Sequence, residues 1–271
     1  PIRNIRLQGF TAKNTNGGSG ASTNAKIIQI SGVDRVRIED VKVQDLAYTG
    51  AGATNAGISV ESSSFVFISN CEASYNTGIG FYLDFCGNVR IFNCSSIENT
   101  SHGFSVSGDF GTPCQIYGCN AYNNNGDGFS VGQLFATVVL CDSRENAGDG
   151  FDFNIDGGTN SPSGSVIGCV AVSNALYGFD LEGVKESSCV AWNNSSGGFT
   201  ATTAPMVLSN SDNNNIVFTG ARIVRVTGPT AGFNITGIDV TPGLNEGVPL
   251  EIIIYNYTST TAGHQNFPSQ T

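Results

Sequence analysis

Five acidic side chains recur at related offsets around Gly-Phe pairs. Asp127 and Asp149 stand immediately before Gly128-Phe129 and Gly150-Phe151; Asp152 and Asp180 immediately follow Phe151 and Phe179, and Glu182 lies two residues beyond Asp180. If such positions stack from one structural unit to the next, the carboxylates lie roughly 5 Å apart and repel one another, so their grouping calls for a reason. Three chemistries fit. The first is an acid/base pair of the glycosidase type, in which one carboxyl stays protonated beside an ionised neighbour. Asp152, Asp180 and Glu182 are then the catalytic candidates, with Tyr177, Asp149, Asp127, His102 and Tyr82 against the substrate. The second is a Ca²⁺ site built from several carboxylate oxygens. The third is a solvated acidic face with no chemistry, in a chain holding 22 Asp and Glu. Residues 156–164, rich in Gly and Ser, follow the acidic group and could wall a groove beside it.

What positions these residues is an internal repeat. The pattern Cys-x4-Asn-x3-Gly-Phe occurs six times: Cys71/Asn76/Gly80/Phe81, Cys94/Asn99/Gly103/Phe104, Cys119/Asn124/Gly128/Phe129, Cys141/Asn146/Gly150/Phe151, Cys169/Asn174/Gly178/Phe179 and Cys189/Asn194/Gly198/Phe199. A fixed core with spacers of changing length predicts stacked coils with variable loops. Short alternating runs, such as Phe65-Val66-Phe67-Ile68 before the Cys and Phe104-Ser105-Val106 at the Phe, predict strands with one buried face. The Asn is expected in the turn, tolerating left-handed geometry and bonding its counterpart one coil away. Glycines, 35 in all, are expected to supply positive φ in tight turns. Residues 27–62 read as an earlier, degenerate coil in which Val36–Val41 lead to Asp45.

These coils resemble the parallel β-helix repeats of pectate-lyase-like proteins, over roughly residues 27–215. The resemblance implies an all-β, right-handed parallel β-helix over 1–215, with about six regular coils at 65–205. It also brings expectations of function, since the family includes polysaccharide lyases, hydrolases, uronan epimerases and bacteriophage tailspikes. Gly232–Ile238 and Pro249–Asn256 resemble a small β module near the ends of phage tail spikes and fibres, implying a sandwich-like cap over 216–271. Tyr177-Gly178-Phe179-Asp180 is similar to the opening of the mannuronan epimerase motif, but Leu181 and Glu182 stand where that family has Pro and a catalytic His. Epimerase and β-elimination chemistry lose support accordingly. Basic residues that would neutralise a uronate are scarce nearby, with only Arg144 and Lys185 in reach, so a neutral glycan fits the acidic group better.

Composition narrows the partners. The net charge is −10 and only 12 Lys and Arg are present, which disfavours nucleic acid. No apolar run is long enough to span a membrane, and the chain reads as a processed or excised piece of a longer protein. Six of the eight Cys share one repeat position, predicting a ladder of buried thiols rather than disulfides; Cys86 and Cys114 fall outside it and could form one bridge. Zinc is disfavoured because no Cys-x-x-Cys occurs and only His102 and His264 could assist. The sequons at Asn93, Asn99, Asn193, Asn194, Asn234 and Asn256 are read as incidental to stacking.

The leading expectation is an extracellular, tailspike-like homotrimer, on a virion or secreted, that binds a cell-surface polysaccharide, with its cleavage as a further step and Trp192 also lining its groove. A secreted bacterial lyase- or epimerase-like enzyme and a non-enzymatic adhesive solenoid are the alternatives.

Overall fold

A computed structural model describes residues 3–14, 25–47, 55–108, 111–133, 135–153, 164–181 and 184–199, together with the strands Ile216–Phe218, Ile223–Thr227, Ile238–Val240 and Glu251–Tyr255. Among the described residues every regular element is a strand, and no helix is long and apolar enough to cross a membrane. The chain divides into two compact units, Pro1–Thr202 and Thr203–Thr271. In the second, Ile216–Phe218 pairs with Ile238–Val240 and Ile223–Thr227 with Glu251–Tyr255, both in parallel.

In the first unit each coil supplies three short strands, and each strand pairs in parallel with its counterparts in the coils before and after. The sheet that starts at the Gly-Phe pairs, here the Phe sheet, has eight strands: Lys26–Ser31, Ala56–Glu61, Ile79–Cys86, Phe104–Gly108, Phe129–Gly132, Phe151–Asp152, Tyr177–Asp180 and Gly197–Phe199. A second set leads to each Cys (the pre-Cys sheet: Val66–Ser69, Val89–Phe92, Cys114–Tyr117 and onward). A third follows it (the post-Cys sheet: Glu72–Ser74, Ser95–Ile97, Asn120–Tyr122 and onward). The longer strand Val36–Gln44 pairs with both Val66–Ser69 and Glu72–Ser74 and so joins the two sets, while Ile5–Lys13 lies along its other side.

Registration puts like residues in columns one strand spacing apart. Phe81, Phe104, Phe129, Phe151, Phe179 and Phe199 form a continuous stack with ring centroids 4.7 to 4.8 Å apart, and the first five are fully buried. Isolated aromatic pairs prefer offset or edge-to-face geometry; here the coil spacing itself imposes near-parallel rings. Ile58 and Ile28 occupy the same column in the two earlier coils, which hides the repeat there from a search for Gly-Phe.

The asparagines form the ladder that was expected. Asn76 Nδ2 donates to Asn99 Oδ1 at 2.9 Å, and the same bond recurs from Asn99 to Asn124, Asn124 to Asn146, Asn146 to Asn174 and Asn174 to Asn194. Each Oδ1 also accepts the backbone N–H of the preceding Asn. The left-handed conformation does not fall on these residues. It falls on the residue just before each: Tyr75, Glu98, Asn123, Glu145, Ser173 and Asn193. That single residue turns the chain so that the Asn side chain points inward, where its amide is buried and needs its partners. In the earlier coil the ladder position is Leu46, not Asp45: Asp45 takes the left-handed corner, and the Leu46 N–H donates to Asn76 Oδ1.

The repeat glycines likewise serve closeness rather than positive φ. A Cβ on Gly150 would meet the Gly178 carbonyl oxygen at 2.5 Å and Asn174 Nδ2 at 2.8 Å, and Gly103 and Gly178 are equally crowded. Gly is present because the next coil's backbone and the Asn ladder occupy the space of a side chain.

All eight cysteines are free thiols. In the repeat column each Sγ donates to the carbonyl two residues earlier, as Cys94 does to Phe92 at 3.2 Å, and the N–H of Cys94, Cys119 and Cys141 points at the next sulfur. Cys86 and Cys114 are buried too, and burial pushes their thiols up to about 11 and about 12. No disulfide joins them. A thiol buried away from solvent does not alkylate. Treating the native protein with iodoacetamide should therefore leave seven thiols unmodified and reach only the half-buried Cys189, as read by intact mass; extensive labelling before denaturation would contradict the ladder.

Candidate functional site

The outer surface of the Phe sheet is built by the alternation that buries the Phe column. Tyr82, Ser105, Ser130, Asp152 and Asp180 face outward in one column, paired coil to coil, and all are half-buried. Neighbouring strands set Asp152 and Asp180 roughly 5 Å apart at the backbone. Glu182 lies outside the described residues, as do residues 156–163 of the loop expected to wall a groove.

Beside this column runs a second one, at the position just before the repeat Gly, and it is the better defined. The Asp127 N–H donates to His102 Nδ1 at 3.1 Å, the Asp149 N–H to Asp127 Oδ1 at 2.7 Å, and the Tyr177 N–H to Asp149 Oδ1 at 2.6 Å. Each side chain thus caps the backbone of the next coil, a ladder parallel to that of the asparagines. Local sequence makes room for it: a Cβ on Gly148 would meet Asp127 Oδ1 at 2.1 Å, and one on Gly126 would meet His102 Nδ1 at 3.0 Å. The Gly-Asp-Gly-Phe strings at 126–129 and 148–151 are the sequence form of this ladder.

Two groups in the ladder have shifted protonation. Partial burial, with the charges of Asp127 and Asp180, pushes the Asp149 carboxyl up to about 6 against the pull of the Tyr177 N–H. His102 is held protonated to higher pH by its hydrogen bond to Asp127, more than burial lowers it, with Asp152 adding attraction. His102 Nδ1 lies 3.0 Å from Asp127 Oδ2 and also receives the Asp127 N–H, and one nitrogen cannot do both. Protonated, Nδ1 donates to the carboxylate; neutral, it accepts from the backbone. The pair is a two-position proton site.

At the other end of the same face lies a polar group that the Gly-Phe alignment missed. Lys26 and Glu61 form an ion pair, with the Lys26 side chain only 5% exposed, and the ammonium sits 5.7 Å from the centre of the Tyr82 ring. Ser59 donates to Glu61 at 2.7 Å and Ser107 to Asp84 at 2.7 Å. Burial works to raise Glu61, but Lys26 and Ser59 outweigh it and hold the carboxyl below its usual range. Burial first, then Asp84, pushes the Tyr82 phenol up to about 12, so it remains a hydrogen-bond donor. Gly57-Ile58-Ser59 was the available signal, with Ile in place of Phe.

The site's carboxylates do not fit a Ca²⁺ cage. The oxygens of Asp127 and Asp149 that face the next coil already accept backbone N–H groups, and the described residues contain no cluster of three or more His, Cys, Asp or Glu placed to hold a metal ion. Trp192 is on the outside of the post-Cys sheet, away from the Phe sheet, so it does not line this strip. His102, Asp127, Asp149, Tyr177, Asp152, Asp180 and Tyr82 share the one face.

A family model described as a right-handed β-helix region matches residues 16–154, just over half of the chain. No curated protein and no solved structure matched. Stacked parallel coils, the Asn and Phe ladders and this match agree: the chain belongs to the right-handed β-helix family.

Proposed function

We propose that the chain is an extracellular carbohydrate-binding solenoid, tailspike-like in action, that holds a strand of cell-surface polysaccharide along the Phe sheet and hydrolyses it. The observation that carries this reading is Asp149: a carboxyl raised to about 6, next to a column with two further aspartates. One protonated and one ionised carboxyl on adjacent columns is the arrangement glycoside hydrolysis needs. Asp149 Oδ1 is engaged by the Tyr177 N–H, leaving Oδ2 to carry the proton. That proton passes to the glycosidic oxygen as its bond to the anomeric carbon breaks. A water then gives hydroxyl to that carbon, and its proton goes to Asp152 or Asp180. Tyr82, the serines of the outward column and Glu61, held by Lys26, offer hydroxyl-binding groups at intervals of one coil. A homotrimer, on a virion or secreted, is part of the proposal, and mass in solution checks it.

A structural reading has one observation in its favour: the side chains of His102, Asp127 and Asp149 each accept a backbone N–H of the next coil, which would suffice to retain Asp127 and Asp149 without chemistry. A panel of surface polysaccharides, assayed for new reducing ends, separates the two. Depolymerisation of one member, abolished in Asp152→Asn/Asp180→Asn, supports hydrolysis. Cleavage of none by the unmutated protein leaves the solenoid as scaffold.

A further inference from the structure

The pre-Cys sheet carries an exposed face that the reading above does not use. On it Phe67, Phe92 and Tyr117 come from three successive coils, with ring centroids 5.7 and 6.1 Å apart. Their planes tilt by 34° and 42°, unlike the parallel rings inside, and Tyr117 is 42% exposed. Guanidiniums flank the stripe. Arg37 lies 4.9 Å from the centre of the Phe67 ring, Arg35 lies 6.0 Å from that of Phe65, and Arg90 is the registered partner of Phe67 on the next strand. Arg37 is paired with Glu39. Arg90, exposed, has no carboxylate partner among the described residues, in a protein whose net charge is −10.

We propose that this face is a second binding site, for an anionic glycan strand lying along the solenoid axis. Aromatic rings repeated once per coil offer successive sugars an apolar platform, and an Arg fork recognises a carboxylate or sulfate in bidentate fashion. Phe67 and Phe92 are half-buried and Tyr117 is exposed, so the stripe keeps ring surface open to a ligand, and the arginines select its sign. The Phe sheet, lined by aspartates, repels the same ligand. The two faces therefore select different glycan chemistries, neutral on the Phe sheet and anionic here, and this site stands whether or not the Phe sheet is catalytic.

Calorimetric titration with dextran sulfate and with unmodified dextran of equal length tests the site, since the two probes differ only in charge. Dextran sulfate is expected to bind at near-physiological salt and dextran at least about tenfold more weakly. Arg90→Ala and Tyr117→Ala, both at exposed positions, should each weaken dextran sulfate by roughly tenfold, while Trp192→Ala, an exposed aromatic on the post-Cys sheet, leaves it unchanged. An unaltered pattern of protected thiols shows that each variant is folded. Equal binding of dextran, weakened by Tyr117→Ala, would overturn the anionic class. Binding insensitive to Tyr117→Ala would reduce it to diffuse electrostatics, and no binding would remove the site.

Discussion

Asn146→Ala is expected to destabilise the solenoid by about 3–5 kcal/mol, among the largest effects open to a single substitution. The side chain is 1% exposed and every polar atom on it is used. Its Oδ1 accepts from the Asn124 N–H at 3.0 Å and from Asn124 Nδ2 at 2.9 Å. Its Nδ2 lies within hydrogen-bond reach of Ser143 Oγ, Asn174 Oδ1 and the Ala121 carbonyl. Alanine leaves two donors of Asn124 without the acceptor they share in a buried gap, and each orphan costs about 1–3 kcal/mol. In a repeat structure the damage also weakens the contact between neighbouring coils. Asn194→Ala, at the half-buried end of the ladder, should cost visibly less. Urea unfolding of both variants checks the gradient; equal and small losses at the two positions would mean that the ladder contributes little.

Asp149→Asn should change two readouts at once. Asparagine keeps an oxygen for the Tyr177 N–H, so the ladder survives, but it cannot donate a proton to a leaving group. Depolymerisation, where found, should fall by about 10²–10⁴. Stability should move the other way. Because the folded carboxyl lies near 6 and its ordinary value is 3.8, the native state holds the proton more tightly than the unfolded chain. That contribution is fully present below about pH 4 and is lost as pH rises through about 6. His102 has the same sign: its folded value is raised, so its contribution is present below its ordinary 6.5 and fades as pH rises through the higher folded value. These two contributions should therefore decline from pH 4 towards neutrality, and Asp149→Asn should remove the lower part of that decline while leaving the His102 part. Thermal melts across that range test it, and identical slopes in both proteins would assign the decline elsewhere.

The coils were legible because four residue types at fixed offsets have steric or hydrogen-bonding reasons to repeat. Phe fills the stack, Asn and Cys bond from coil to coil, and Gly clears space for the Asn amide. The two early coils were harder to read because Ile28, Ile58 and Leu46 satisfy the same packing with different residues. The outward columns also followed from alternation, which placed Asp152 and Asp180 side by side. What the sequence concealed was the direction of side chains in the turn. Nothing in the string Gly148-Asp149-Gly150 says that the carboxylate reaches along the axis to a backbone N–H, or that this half-buries it. The acid with the shifted value is therefore Asp149, expected only to touch substrate, rather than one of the proposed catalytic trio. Tyr75, Glu98 and Leu140 were equally opaque, since none is a residue type that announces a left-handed corner.

The claim that one carboxyl of the acidic columns is held protonated towards neutral pH can be tested without knowing the glycan. A carbon-13 NMR titration of the aspartate carboxyls, with Asp149 assigned by its disappearance in Asp149→Asn, reads it directly. The account predicts a midpoint of about 6 for Asp149. A midpoint at the ordinary value of 3.8 would contradict it and leave the column as a capping ladder alone.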